Sequence, residues 1–175
     1  HTERGMNAPD DNVSSSGFLA RASGRNTIIK HLNIKGRVTP GVTSNWDMVN
    51  CGGIVGRMYN GTCIAFCSFE GTISATHPNN GKVHGGGIAG LVGISGSAGK
   101  IISCYSVVTE MSLTGTAIKG GIAGYTYNDT TIQGCYWQEL AGIRDDSPCG
   151  TIENGGGINV GYNGHFTDAV GANDY

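Results

Sequence analysis

The sequence predicts an all-β fold, a parallel β-helix of about four coils of roughly 34 residues each. Three observations predict it. Gly-Gly-Ile returns as GGIVG at Gly52–Gly56, GGIAG at Gly86–Gly90, GGIAG at Gly120–Gly124 and GGINV at Gly156–Val160. Its isoleucines, Ile54, Ile88, Ile122 and Ile158, are spaced by 34, 34 and 36 residues. Ile-x-x-Cys recurs once per copy, at Ile64–Cys67, Ile101–Cys104 and Ile132–Cys135, with an upstream Ile29-x-x-Leu32, at steps of 35, 37 and 31 residues. A turn string follows most copies: Tyr59-Asn60-Gly61, Tyr127-Asn128-Asp129 and Tyr162-Asn163-Gly164, with Ser95-Gly96-Ser97 after Ile88. A hairpin-repeat β-prism or sandwich is the alternative, because Asn60-Gly61 is also a strong hairpin signal.

Taken in order, residues 1–25 are polar apart from Gly17-Phe18-Leu19-Ala20 and read as an N-terminal arm or cap. Residues 26–164 form the repeat solenoid, and residues 165–175 a short tail. Within the solenoid, Thr27–Ile34, Cys63–Phe69, Lys100–Thr109 and Thr131–Trp137 are β-branched segments bounded by Gly, Asn or Pro, which is strand punctuation. Side chains alternate along a strand, so aligning the copies assigns faces. The row Leu32, Cys67, Cys104, Cys135, continued by Ile34, Phe69, Ser106 and Trp137, is the more apolar and should face inward. The row Asn33, Ser68, Tyr105, Tyr136 should face solvent. Ile54, Ile88, Ile122 and Ile158 should form an inward column. The paired glycines before them allow positive φ or close backbone approach.

Composition narrows the function. Charged residues are 14% of the chain, against about 25% in an ordinary soluble protein. Glycine contributes 31 of 175 residues, so the surface is built largely from small polar groups. A net charge of −2 offers no electrostatic reason to expect nucleic acid as a partner. No apolar run approaches the ~20 residues that a membrane-spanning helix needs. The chain starts at His1 without a leader and reads as a trimmed product.

The strings GGIVG, GGGIAGLVG and GGIAG resemble the GLUG repeat family, and Gly90-Leu91-Val92-Gly93 matches the string behind that family's name. The resemblance covers roughly residues 51–164. It implies a right-handed parallel β-helix in a secreted or surface-attached, adhesin-like protein, and it carries over no catalytic motif. The fourth copy departs from the pattern, with Asn159-Val160 in place of Ala-Gly.

Six cysteines, Cys51, Cys63, Cys67, Cys104, Cys135 and Cys149, suit an oxidising compartment and are disulfide candidates. Six allow 15 connectivities, and at least one bridge is expected. No Cys-x-x-Cys is present and the five histidines are scattered, so neither a metal site nor a cofactor is expected. Asn12, Asn60 and Asn128 head Asn-x-Ser/Thr triplets and are glycosylation candidates. Asn60 and Asn128 both stand six residues after a column isoleucine.

Asp145-Asp146 beside Arg144 marks an inserted segment where a polysaccharide-active β-helix enzyme would carry carboxylates. Adjacent strand residues point opposite ways, which suits an acidic turn better than an acid–base pair. Tyr105 and Tyr136 are the candidate binding residues, because stacked exposed aromatics offer apolar area together with a hydroxyl. The expectation is therefore a non-enzymatic extracellular protein, either a self-assembling filament subunit or an adhesive module presenting a face to a glycan or protein. A carbohydrate-binding module is the close alternative.

Overall fold

The computed structural model describes residues 13–41, 47–93, 98–127, 129–138, 148–152, 159–160 and 164–166. These form a β-solenoid with four strands per turn. The first rung is β1 (Val13–Ser16), β2 (Leu19–Ser23), β3 (Ile28–Lys30) and β4 (Asn33–Val38). The second is β5 (Met48–Gly52), β6 (Val55–Tyr59), β7 (Cys63–Ala65) and β8 (Ser68–Thr76). The third is β9 (Lys82–Gly86), β10 (Ala89–Val92), β11 (Lys100–Ile102) and β12 (Tyr105–Thr114). The fourth is β13 (Thr116–Gly120), β14 (Ala123–Thr126), β15 (Thr131–Gln133) and β16 (Tyr136–Gln138). A fifth is represented by β17 (Cys149–Ile152), β18 (Asn159–Val160) and β19 (Gly164–Phe166).

Equivalent strands stack into four parallel sheets: β1-β5-β9-β13, β2-β6-β10-β14-β17, β3-β7-β11-β15-β18 and β4-β8-β12-β16-β19. The register is the one that the repeat spacing implies. Ile29, Ile64, Ile101 and Ile132 are partners across the third sheet. Asn33, Ser68, Tyr105 and Tyr136 are partners across the fourth. The solenoid therefore replaces the prism or sandwich alternative, since every strand pair among the described residues is parallel.

The core is a set of columns running along the stack. Ile54, Ile88 and Ile122 are fully buried. Their backbones are linked, with Ile54 N–H donating to Ile88 O at 3.0 Å and Ile88 N–H to Ile122 O at 2.9 Å. Phe18 heads the column, one step above Ile54. At its other end the sequence expectation fails. Ile122 and Ala123 N–H both donate to Pro148 O, so Pro148 holds the slot expected for Ile158. Val160 sits in register with Ile132 of the third sheet, and the fourth Gly-Gly-Ile string therefore precedes a different strand. Backbone register defines a slot, and a resembling string can fall elsewhere.

Three further expectations are corrected. Val13–Ser23, read as part of an arm or cap, is no arm: it supplies β1 and β2 of the terminal rung and pairs with β5 and β6. His165 and Phe166, read as tail, lie in β19 against β16. Asn60-Gly61 forms no hairpin. With φ of 56° and 76°, it turns the chain from β6 into β7, two strands that lie in different parallel sheets.

The described glycine pairs, Gly52-Gly53, Gly86-Gly87 and Gly120-Gly121, are required for space, since none of them has positive φ. A Cβ on Gly53 would lie 2.1 Å from Phe69 Cγ, and one on Gly121 2.1 Å from Trp137 Cγ. One on Gly87 would lie 2.3 Å from both Gly121 O and Ser106 Oγ. The corner of the second, third and fourth rungs thus lies directly against the inward side chain of the fourth sheet.

Positive φ is used at a different corner. His31, Phe66, Ser103 and Gly134, the residue before each Leu or Cys of the inward row, have φ of 58°, 54°, 50° and 62°. This stack of left-handed residues bends each rung from the third sheet into the fourth. His31 and Phe66 lie flat on one another, with ring centroids 5.4 Å apart. At Gly134 the nearest atom to an added Cβ is Ser103 Oγ at 3.4 Å, so there is room for a side chain. Backbone conformation alone should set the effect of substitution there. Gly134→Val should lower stability by about 1–2 kcal/mol, and Gly134→Asn by much less, because Asn tolerates this region. Urea unfolding midpoints of the two variants check this. Equal midpoints would show that the corner does not hold its left-handed turn.

Candidate functional site

Two surfaces and two buried columns collect the chemistry. The first surface is lateral. Tyr105 starts β12 and is 38% exposed, while its register partner Tyr136 is half-buried. The row continues as Ser68 and Asn33, with Ser68 Oγ donating to Asn33 Oδ1 at 2.6 Å. The row expected to face solvent is a continuous column, aromatic on the third and fourth rungs and polar on the first and second, but only Asn33 and Tyr105 are exposed: Ser68 is buried, which corrects the expectation on the second rung. Beside it, Lys35 pairs with Glu70, an exposed ion pair that contributes little to stability.

The second surface is the end of the solenoid at the first rung. β1 to β4 pair with the second rung on one side, and among the described residues nothing pairs with the other. Phe18 is 50% exposed there, although its column neighbours below are fully buried. A cavity of about 370 Å³ opens at this end, between Phe18, Gly17 and Gly53 on one wall and Ile34, Val38 and Phe69 on the other. It lies where the interior columns run out.

The first buried column was missed at the sequence level. Asn50 and His84 are register partners in the first sheet, 0% and 2% exposed, with Asn50 Oδ1 and His84 Nδ1 2.8 Å apart. The His84 ring stacks on Tyr125 of β14 with centroids 4.7 Å apart. Burial, aided by the Lys82 charge, holds the imidazole neutral and lowers its pKa to about 4. With Asn50 oriented this way, Nδ1 carries the proton and donates. Asn50 Nδ2 and His84 Nε2 have no hydrogen-bond partner among the described residues. A signal was available: both residues stand four positions before a column isoleucine, a polar site shared by two copies.

The second buried column is Cys67, Cys104 and Cys135, all at most 1% exposed. Each thiol has two carbonyl acceptors in reach, the nearer in its own rung and the farther in the preceding one: for Cys67, Ala65 O at 3.2 Å and Ile29 O at 3.7 Å; for Cys104, Ile102 O at 3.3 Å and Ile64 O at 3.8 Å; for Cys135, Gln133 O at 3.5 Å and Ile101 O at 3.6 Å. Neighbouring thiols along the column also shift one another's titration. The neighbour Cys104, with burial, pushes the Cys67 thiol up. Cys104 is raised to about 12, chiefly by Cys135, and the same interaction draws Cys135 below the ordinary thiol range. All six cysteines stand as thiols, so the expected disulfide is not formed in this structure. Cys51 is also buried and donates to His84 O at 3.4 Å. Cys63 is half-buried at the start of β7 and Cys149 is buried in β17.

Of the glycosylation candidates, Asn60 is exposed at its corner, and its Nδ2 donates to Ser23 Oγ at 2.9 Å. The triplet's Thr62 is buried and donates to Tyr59 O at 2.8 Å. Tyr59 serves in packing, though not in a hairpin: it is 5% exposed, with the guanidinium groups of Arg21 and Arg57 4.7 Å and 5.3 Å from its ring centroid. Asn12, Asn128 and the segment holding Arg144, Asp145 and Asp146 lie outside the described residues, as does Ile158. Among the described residues no group of three or more His, Cys, Asp or Glu is placed to hold a metal ion. No described helix is long and apolar enough to cross a membrane.

Comparison with protein-family models, with curated proteins and with solved structures gives no match for this chain.

Proposed function

We propose that this chain is an extracellular structural β-solenoid that assembles end to end with further copies of itself. The observation that carries this reading is the first-rung end. Four parallel edge strands, a half-exposed column aromatic and a cavity over the core meet on one surface. Unpaired parallel edges are templates for strand addition. A contact between two different ends of a molecule does not close on itself and produces a fibre. The extracellular placement is supported by the GLUG-like strings and by the sequon at the exposed corner residue Asn60. A non-catalytic role is supported by the way the reactive side chains repeat as columns, one per rung.

Sedimentation velocity over a range of concentrations tests the assembly. Native protein should shift to large species as concentration rises. Phe18→Asp, which places a charge on the end surface, should stay monomeric and keep a cooperative melt. Assembly of Phe18→Asp at native concentrations would overturn the reading. Deleting residues 1–25 is a poor test, because it removes β1 and β2 from the first rung.

A second reading has its own observation. The in-register pair Tyr105 and Tyr136 offers a lateral platform for a sugar ring or protein surface. It predicts a monomer whose binding to an immobilised polysaccharide is lost in the double alanine variant.

A further inference from the structure

The left-handed corner between the third and fourth sheets is used by neither reading, and its side chains leave a step on the flank of the solenoid. We propose that the uncovered face of Phe66, above that step, is a binding subsite for an uncharged pyranose ring of a polysaccharide. The proposal rests on the second reading, in which this flank meets a ligand, and it adds a subsite and a class of sugar to the tyrosine pair.

His31, Phe66, Ser103 and Gly134 fill one slot on consecutive rungs. Phe66 N–H donates to Ile102 O at 3.0 Å and Ser103 N–H to Gln133 O at 2.9 Å, which ties each slot to the next rung. Along this column the side chains shrink from two rings to a hydroxymethyl group to none. The two rings cover one another, with centroids 5.4 Å apart and planes 10° from parallel. The second face of Phe66 therefore looks along the column toward Ser103, where no ring follows. Phe66 stays 56% exposed despite the stack, and His31 is its only ring contact among the described residues. The floor of the step is open, since an added Cβ on Gly134 would meet nothing nearer than Ser103 Oγ at 3.4 Å. Tyr105 and Tyr136 stand two residues beyond Ser103 and Gly134 and border the step. The fold does not require a ring at Phe66. Its φ of 54° is unfavourable for a side chain of this kind, and the ring fills no core. Glycine holds the same corner on the fourth rung. A strained and exposed aromatic is an outlier that points to recognition.

The chemistry of the step selects the ligand. A pyranose has an apolar C–H face and a rim of hydroxyls. The C–H face suits the electron-rich face of an aromatic ring, and the rim needs groups that both donate and accept. The Ser103 hydroxyl and the Gln133 carboxamide are such groups. Both residues are exposed, and neither side chain makes a hydrogen bond among the described residues. Charge narrows the class. Neither the corner column nor the row Asn33, Ser68, Tyr105, Tyr136 contains a carboxylate, a lysine or an arginine. Lys30 and Lys35 belong to the first rung, beyond the ring stack, and Lys35 is paired with Glu70. Lys100 stands at the opposite end of β11 from Ser103. A uronate or sulfate would therefore find no fixed counter-charge in the step, and an uncharged sugar loses nothing by entering it.

Affinity electrophoresis of the whole chain tests this, in native gels cast with soluble glucan, mannan, galactan or xylan, and with polygalacturonate as the charged counterpart. The native chain should be retarded by at least one uncharged polymer. Phe66→Asn keeps a residue that tolerates the left-handed corner and removes the ring. It should melt cooperatively and bind that polymer at least about tenfold more weakly, the loss expected of a residue that anchors an interface. Phe66→Tyr, which restores a ring face, should be retarded like the native chain. Should Phe66→Asn fail to fold, Ser103→Asn decides, because it places a carboxamide under the ring face and should weaken binding with Phe66 intact. A native chain that runs free in every uncharged gel, or is retarded by polygalacturonate alone, overturns the proposal, as does Phe66→Asn retarded like the native chain. The Tyr105→Ala, Tyr136→Ala double variant separates the two ideas. Retardation lost there but kept in Phe66→Asn would leave the tyrosine platform standing and remove the Phe66 subsite, and the reverse pattern would leave Phe66 as the site.

Discussion

Gly87→Ala should destabilise the protein by at least about 3 kcal/mol, more than an ordinary overpacking substitution of 1–3 kcal/mol. The added methyl would meet Gly121 O at 2.3 Å on the next rung and Ser106 Oγ at the same distance within its own rung. A flexible side chain could yield, but a backbone carbonyl held in a rung-to-rung ladder cannot move alone. Ile88 and Ala89 N–H both donate to Ile122 O beside it, so shifting one rung strains those bonds too. Stacked repeats are stable chiefly through nearest-neighbour interfaces, and the loss should fall on the third–fourth rung interface. Gly41→Ala is the control: nothing lies within 4 Å of its added Cβ, and its effect should stay within about 0.5 kcal/mol. Denaturant unfolding of both variants checks the pair. A Gly87→Ala midpoint equal to that of Gly41→Ala would mean that the rung corners are looser than the contacts described.

Acid should cost the fold about 3 kcal/mol at His84 alone. Burial lowers this imidazole from the ordinary 6.5 to about 4. Because the folded pKa lies below the unfolded one, the unfolded chain takes up the proton first as pH falls. The stability contribution is complete above about pH 6.5 and is lost progressively down to about pH 4, at roughly 1.4 kcal/mol per pH unit. The cause is concrete: a protonated ring would carry its charge against Tyr125 and inside a sheet interior, with only Asn50 to receive a hydrogen bond. His84→Gln keeps a polar group toward Asn50 and removes the titration. Its unfolding free energy should therefore fall less than that of the native chain between pH 7 and pH 4, by about 3 kcal/mol. Parallel pH profiles for the two proteins would contradict the burial of a neutral His84.

Much of this fold is legible in the sequence because a solenoid repeats its own register. The 34-residue step placed Ile54, Ile88 and Ile122 in one column, and alignment of the Ile-x-x-Cys copies placed Tyr105 beside Tyr136. It also placed the cysteine column inward. The errors have a common physical origin. A string reports side chains, whereas the solenoid is organised by which backbone atoms pair. Pro148 can take an isoleucine's slot because the slot is defined by its carbonyl, which accepts from Ile122 and Ala123. Asn60-Gly61 signals two residues of positive φ, and the structure uses them, but in a corner between sheets. The left-handed corner at His31, Phe66, Ser103 and Gly134 was invisible because three of its four residues are not glycine. The Asn50–His84 pair was overlooked because a buried polar residue leaves no apolar period. Its fixed offset before Gly-Gly-Ile was the only sign.

The candidate surfaces were less legible than the columns. The tyrosine row follows directly from alternation, but the open end depends on where the array begins. The apolar patch at Phe18 sits in a stretch that reads as a polar arm or cap, and only the pairing of β1 and β2 with the second rung places it on an end face. End-to-end assembly is the central claim, and fibre diffraction from aligned native protein tests it most directly. The account predicts long unbranched fibres with a meridional reflection near 4.8 Å, the rung spacing running along the fibre axis, and no fibres from Phe18→Asp. Native protein that remains a monodisperse short rod at every concentration would contradict it.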